Sequence, residues 1–250
     1  MSTGAGSLRM LAFGELGTGT WGAALSLAGE APFAGVGTAS GAAAVPARLE
    51  GTRSGDDWRL TGEGVDLTAT ALAAPVAARR AGQETDGFDQ LCRVSGRFDP
   101  VGAGHELSTL GCRSLRGDGV DVSRYGSLRA VTAWFEPGLG LALAALRPRR
   151  AKGQEADLVS AAVLDPDGAG AVEDPRLSTA YTAEGWPVRA GLELWVAGED
   201  EQLQVRRAAG EATGGRVESA HDGLAVRAGL FRWHLGGQVG AGVYLLAGRG

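Results

Sequence analysis

Short runs in which apolar and polar residues alternate follow one another along almost the whole chain. The runs last roughly 5 to 10 residues, and each ends at glycine, proline, aspartate or a pair of charges, as β-strands joined by tight turns do. Stretches with helical periodicity are scarce. The pattern therefore predicts an all-β protein.

In the first half the pattern predicts a series of strands and one connecting loop at 73–86, where Pro75, two arginines and Gly82 interrupt the alternation. The predicted strands are 9–15, 20–28, 34–39, 45–50, 57–61, 65–71, 88–98 and 105–113.

A looser stretch at 114–125 separates the halves, and the strand pattern then begins again. The predicted strands of the second half are 128–136, 141–147, 157–164, 178–182, 189–197, 204–213, 216–220, 224–235 and 240–246. We place a domain boundary between residues 122 and 123, giving domains 1–122 and 123–250. About eight antiparallel strands are enough to close a barrel that holds one small ligand. We expect two tandem antiparallel β-barrels or β-sandwiches.

Composition excludes several classes of function. The 42 glycines follow no collagen period, and the net charge of −5 is spread along the chain with no basic stripe for nucleic acid. Residues 1–9 lack the pattern of a signal peptide, and no run is apolar enough to span a membrane. We expect a cytoplasmic protein without a membrane span and without a nucleic-acid partner; a homodimer is one assembly that the sequence allows.

Cofactor and metal motifs are missing from the chain. The histidines His105, His221 and His234 are too dispersed to predict a metal site, and no phosphate-binding or dinucleotide motif stands before a helix. Cys92 and Cys112 are interpreted as two buried thiols, with a bridge between neighbouring strands as the alternative. We expect no cofactor and no metal.

The strand at 224–235 carries the clearest chemical signal. One of its faces holds Leu224, Val226, Ala228 and Leu230, and then continues into Arg232 and His234. Inside a barrel, such a face would place an arginine and a proton-exchanging histidine at the mouth of an apolar cavity. The alternative is that both side chains lie beyond the core and point into water.

Glu193 lies beside Trp195 on one face of the strand at 189–197. It forms an ion pair with an arginine such as Arg207, or, in a pocket against the indole, it acts as a general acid. Both interpretations stay open at this point. If the protein needed a nucleophile, the sequence would offer Cys92, paired with His105 or His234. No local motif supports this pairing.

Several short sequence segments resemble segments of the lipocalin-like group of proteins, which includes carotenoid 1,2-hydratases and AttH-like proteins. They are Asp89-Gln-Leu-Cys-Arg-Val-Ser-Gly-Arg, Gly111-Cys-Arg-Ser, Ala133-Trp-Phe, Phe231-Arg-Trp-His and Gly240-Ala-Gly-Val-Tyr. The resemblance implies two calycin-type barrels with an apolar cavity. It also implies a protein that hydrates or cyclises isoprenoids, catalyses ring closure, or carries lipids.

We therefore expect an apolar β-barrel cavity that binds a hydrophobic, isoprenoid or polyketide-like molecule, with hydration or cyclisation by acid/base chemistry as one role. A carrier without chemistry and a structural protein with filled barrels are the alternatives. The candidate catalytic residues are Glu193, His234 and Tyr181. The candidate ligand-binding residues are Trp134, Trp195, Trp233, Arg207 and Arg232.

Overall fold

The computed structural model describes residues 7–27, 33–80, 83–99, 102, 104–117, 125–135, 138–152, 157–165, 170–197, 202–221 and 224–249. Strands form its regular structure, as the alternating pattern predicts. In chain order they are β1 (Leu8–Gly14), β2 (Trp21–Ser26), β3 (Phe33–Thr38), β4 (Gly41–Ala44), β5 (Ala47–Glu50), β6 (Trp58–Gly62), β7 (Val65–Ala71), β8 (Val76–Arg80), β9 (Gln83–Phe98), β10 (His105–Arg116), β11 (Tyr125–Phe135), β12 (Leu139–Pro148), β13 (Leu158–Leu164), β14 (Gly170–Tyr181), β15 (Pro187–Ala197), β16 (Leu203–His221), β17 (Leu224–Leu235) and β18 (Gln238–Arg249).

The first ten strands form one antiparallel sheet in the order β4-β3-β2-β1-β10-β9-β7-β6-β5, with β8 paired to β9. Val36 near one end of this order and Leu49 at the other end belong to one buried cluster. The sheet is therefore curled around that cluster as an open half-barrel. Strands β11 to β18 follow one another around a closed barrel. The predicted all-β architecture of two antiparallel units is confirmed, and the proposed boundary at 122/123 lies outside the described residues.

The structure differs from the predicted strands in several places: β4 was not predicted, β9 and β14 begin earlier than predicted, and two further differences concern β8 and β16. Residues 76–80, predicted as part of a loop, form β8, in which Val76 and Ala78 are buried while Ala77 is exposed. Proline and charged residues in this stretch are typical of a turn, but buried and exposed side chains continue to alternate through it, as in a β-strand. The predicted strands 204–213 and 216–220 are one strand, β16, whose register shifts between Ala212 and Arg216 at a bulge.

An apolar interface joins the half-barrel to the outer wall of the barrel. Met10 and Leu25 of the sheet share one buried cluster with Val226, Leu230 and Leu245 of the barrel. A second cluster fills the inside of the barrel, and the third fills the inside of the half-barrel. The indole N–H of Trp134 also crosses the interface and donates to the carbonyl of Gly14 at 2.9 Å.

Arg113 is a fully buried cation inside the half-barrel. Its guanidinium donates to the carbonyl oxygens of Ser54, Asp56 and Ala69 and to Oε1 of Gln90, and it lies 5.6 Å from the ring of Trp58. Burial lowers the pKa of this guanidinium. The hydrogen bonds tie the loop before β6 to the core of the sheet.

No helix in the described part of the chain has the length and apolar character needed to cross a membrane.

Replacing Arg113 by methionine is expected to lower the free energy of unfolding by about 3 kcal/mol or more, because buried carbonyl groups lose their donor. Urea-induced unfolding, followed by tryptophan fluorescence, measures the change. Arg59→Met is the control, since Arg59 pairs with Asp66 at the surface with side chains 58% and 56% exposed, and should cost less than about 1 kcal/mol. Equal losses from the two variants would contradict the role of Arg113.

Candidate functional site

The face of β17 that changes from apolar to basic is the outer wall of the barrel. Phe231 and Trp233 belong to the cluster inside the barrel, so Arg232, between them, points outward and is exposed. Leu230, on the same outer face, is buried against the half-barrel. Of the two interpretations of this face, the barrel lining does not hold, because its apolar residues pack against the half-barrel; Arg232 and His234 are exposed, as the alternative interpretation has it.

A cleft with a volume of about 610 Å³ opens beside Arg232, between the half-barrel and the barrel. This volume is within the range of ligand sites, which often lie between structural units. The described residues that line it are Leu16, Gly17, Thr18, Gly19, Thr38, Ala39, Ser40, Gly41, Ala42, Thr213, Gly214, Gly215, Arg216, Leu230 and Arg232.

The bulge in β16 builds the barrel side of the cleft. Gly214 has a φ of +124°, a conformation that favours glycine, and Thr213 Oγ1 donates to the carbonyl of Leu230 at 3.1 Å. Gly215 lies against the indole of Trp21, because a Cβ at this position would be 2.5 Å from Nε1. Trp21 is fully buried, and its N–H has no hydrogen-bond partner among the described residues. Glycine at 215 therefore lets the bulge pack directly on the half-barrel.

Two turns of the half-barrel build the other side of the cleft. The β1–β2 loop contributes Thr18, whose hydroxyl donates to Oε1 of Glu15 at 2.5 Å. The β3–β4 turn contributes Thr38 and Ser40, whose hydroxyl oxygens are 2.8 Å apart. This side of the cleft is polar, whereas Leu16 and Ala42 join the apolar interface cluster at its edge.

The described lining of the cleft carries arginines and no acidic residue. Arg232 forms no ion pair with the described residues. The guanidinium of Arg216 lies 5.6 Å from the ring of Trp186, in the β14–β15 turn. The cleft thus combines a small apolar edge, hydroxyl groups and positive charge.

Solved structures with the same arrangement of strands are found among proteins of low sequence identity. An AttH-like protein of Nitrosomonas europaea matches with a TM-score of 0.60 and 14% identity over 97% of this chain and 92% of that chain. Kievitone hydratase from Nectria haematococca matches with a TM-score of 0.60 and 10% identity over 99% and 90%. CghA with Sch210972 matches with a TM-score of 0.57 and 13% identity over 98% and 89%.

The chain has the lipocalin-like fold of these proteins. This confirms the fold that the resemblance in the sequence implied. No protein-family model matches the chain, and no curated protein matches it by sequence. At such low identities the likeness concerns the fold alone.

Three of the candidate residues meet on the outer wall of this lipocalin-like barrel, next to the cleft. Glu193, Arg207 and His234 line an open groove of about 550 Å³ across β14 to β17. Glu193 Oε1 accepts from Arg207 Nε at 2.9 Å, and its other oxygen is 3.9 Å from Arg176. The ion pair considered from the sequence is therefore present, on the surface and not inside a pocket.

Tyr181 lies apart from these residues, at one end of the barrel. Its hydroxyl is 3.4 Å from that of Tyr244, which is 2.9 Å from Thr179 Oγ1. Tyr244 is fully buried, and burial raises the pKa of its phenol. Sequence reasoning missed Tyr244, because it stands in the apolar run of β18 and resembles an ordinary core residue.

The three tryptophans proposed as ligand contacts occupy different environments. Trp134 is in the interface between the units. Trp233 is inside the barrel, with its ring 6.1 Å from that of Phe231. Trp195 is half-buried next to Glu193 on the outer wall, and within the described part of the chain its N–H has no hydrogen-bond partner. None of the three is among the described residues that line the cleft.

The two cysteines are free thiols that face opposite sides of the half-barrel sheet. Cys92 belongs to the inner cluster and Cys112 to the interface cluster. Burial raises the pKa of Cys92 to about 12, an effect that the nearby Arg113 only partly offsets, and burial with the charge of Asp89 raises the pKa of Cys112. Both thiols are protonated at neutral pH, so neither is an activated nucleophile.

Native protein at pH 8 is expected to react with a thiol reagent such as 5,5′-dithiobis(2-nitrobenzoic acid) only as fast as it unfolds. The physical reason is that both thiols are buried and protonated. Absorbance at 412 nm follows the reaction, and the same protein in guanidinium chloride should release both equivalents at once. Fast labelling of one thiol in the native protein would show that Cys92 or Cys112 is reactive after all.

Proposed function

We propose that the protein binds a hydrophobic small molecule, isoprenoid or polyketide-like, in the cleft between the half-barrel and the barrel. The observation that carries this proposal is the cleft itself, about 610 Å³ in volume, within the range of small-molecule sites. The apolar part of the molecule contacts Leu16, Ala42 and Leu230. Its polar part contacts the hydroxyl groups of the two turns and Arg232.

The positions of Leu16 and Ala42 support an apolar ligand. Both line the cleft and are half-buried against the interface cluster, so a molecule in the cleft would extend an apolar surface that already exists. Kievitone hydratase and CghA with Sch210972 share the fold. Their names support a role with small molecules for this architecture.

Acid/base chemistry, hydration or cyclisation, is the enzymatic form of this proposal. His234 follows Arg232 on the same outer face, about 7 Å further along the strand at 3.4 Å per residue. A molecule long enough to pass Arg232 would reach this imidazole, which both donates and accepts protons. Glu193 in the same groove is the candidate carboxylate, whereas Tyr181 belongs to the barrel end.

A carrier that holds the molecule without reaction is the alternative. It is favoured by one observation: the described lining of the cleft consists of hydroxyl, guanidinium and apolar groups, which hold a ligand and do not transfer protons at neutral pH. Turnover that is lost in His234→Ala while binding persists would distinguish the enzyme from the carrier.

Filling the cleft is the direct test of binding. Gly41 lines the cleft and has open space where a Cβ would stand, and Gly55 has the same open space in a loop outside the cleft. Fluorescence titration with the uncharged probe N-phenyl-1-naphthylamine is expected to show one site in the natural protein. Gly41→Phe should weaken its affinity at least tenfold, because the ring occupies the space of the ligand.

Gly55→Phe is the matched control and should leave the affinity unchanged. Thermal unfolding of the natural protein and both variants checks that each is folded. Equal affinities in all three would place the probe elsewhere and contradict the cleft as the binding site. Absence of saturable binding of this probe to the natural protein would count against an apolar ligand altogether.

A further inference from the structure

We infer that the molecule held in the cleft is an acid, whose carboxylate or other oxyanion binds to Arg232. This inference rests on the proposed function and narrows its ligand from hydrophobic molecules in general to apolar acids. It is carried by the position of Arg232, by the charges around it and by the donors on the other side of the cleft.

Arg232 is a cation fixed at the edge of the cleft by its strand. The residues before and after it, Phe231 and Trp233, are 1% and 0% exposed inside the barrel, which anchors the backbone at this point. The side chain of Arg232 is exposed and forms no ion pair with the described residues. A guanidinium in this situation keeps its fork of N–H donors available for a carboxylate.

Charges on the neighbouring strands leave this position positive. In the strand register Glu211 of β16 stands opposite Arg232 on one side and opposite Arg189 of β15 on the other. The three side chains form a row on the outer wall with one negative and two positive charges. The register therefore places Glu211 between two arginines, and the net charge of this row is positive.

The half-barrel side of the cleft adds hydrogen-bond donors, and the carboxylate of Glu15 on this side accepts from the hydroxyl of Thr18. Hydroxyl groups of Thr38 and Ser40 face the space, and glycines such as Gly17 and Gly41 leave their backbone uncovered. Hydroxyl and backbone N–H groups both donate to oxyanions. The arrangement suits a negatively charged oxygen better than a cation or an amine.

The order of residues along β17 gives the shape of the ligand. Leu230 is buried in the interface cluster, and Arg232 follows about 7 Å further along the same face. A molecule with its apolar body against Leu230 would present a terminal acid group to the guanidinium. A fatty acid or a polyene carboxylic acid has this shape.

The test compares cis-parinaric acid, a fluorescent polyene acid, with its methyl ester. The ester keeps the apolar chain and removes the charge. We expect the natural protein to bind the acid about tenfold more tightly than the ester, the usual order for a hydrogen bond to a charged group. The preference should fall as salt is raised, because screening weakens only the charged contact.

Arg232→Gln is expected to abolish the preference for the acid while leaving the affinity for the ester unchanged, and Arg232→Lys should retain part of it. Arg59→Gln is the matched control: Arg59 is an exposed arginine on β6 of the half-barrel, outside the described lining of the cleft and away from Glu211. It removes the same charge and should keep the full preference. Thermal unfolding verifies that each variant is folded.

The outcomes separate this inference from the proposed function. Equal binding of acid and ester by the natural protein, with both weakened by Gly41→Phe, would overturn the acid and leave the apolar cleft in place. Loss of the preference in Arg59→Gln as much as in Arg232→Gln would overturn the role of Arg232. Failure of both probes to bind would overturn the inference together with the function on which it rests.

Discussion

Apolar contact between the half-barrel and the outer wall of the barrel is the constraint on which the rest of the molecule depends. This contact buries the outer face of barrel strands whose inner face is already buried inside the barrel. Strand β11 shows the result, since its last eight residues, from Leu128 to Phe135, are all buried. Near-continuous apolar runs are typical of strands covered on both faces. The wall of the barrel is thus a shared core layer, and the two units stabilise each other.

The cleft exists because this contact ends before the strands do. Beyond Leu230 the two units diverge, and the bulge of β16 and the turns of the half-barrel face each other across open space. Glycine is required around the indole of Trp21, where Gly215 of the barrel leaves room for it across the interface and Gly37, its partner on β3, leaves room within the sheet. The same tight packing that joins the units therefore also sets the width of the space between them.

Strand alternation explains why the candidate residues do not assemble into one site. Glu193 and His234 stand between residues that point into the barrel, so they lie on its outer wall. Tyr181 meets Tyr244 at the barrel end instead. Arg232 shares the outer face with His234 but borders the cleft. Residues that are close together in the sequence, or that share one strand, thus lie on different surfaces of the protein.

The sequence by itself determined the all-β class, the division into two units and most of the strands, because a period of two and glycine turns are local properties of the chain. It also placed Arg232 where an apolar face becomes basic. Only the tertiary structure decided that this face is the outside of the barrel and that residues 76–80 form a strand. The physical reason is that alternation defines two faces for each strand but does not say what covers either. That depends on packing between residues far apart in the chain, such as the buried cluster that includes both Leu25 and Leu230, which no local pattern records.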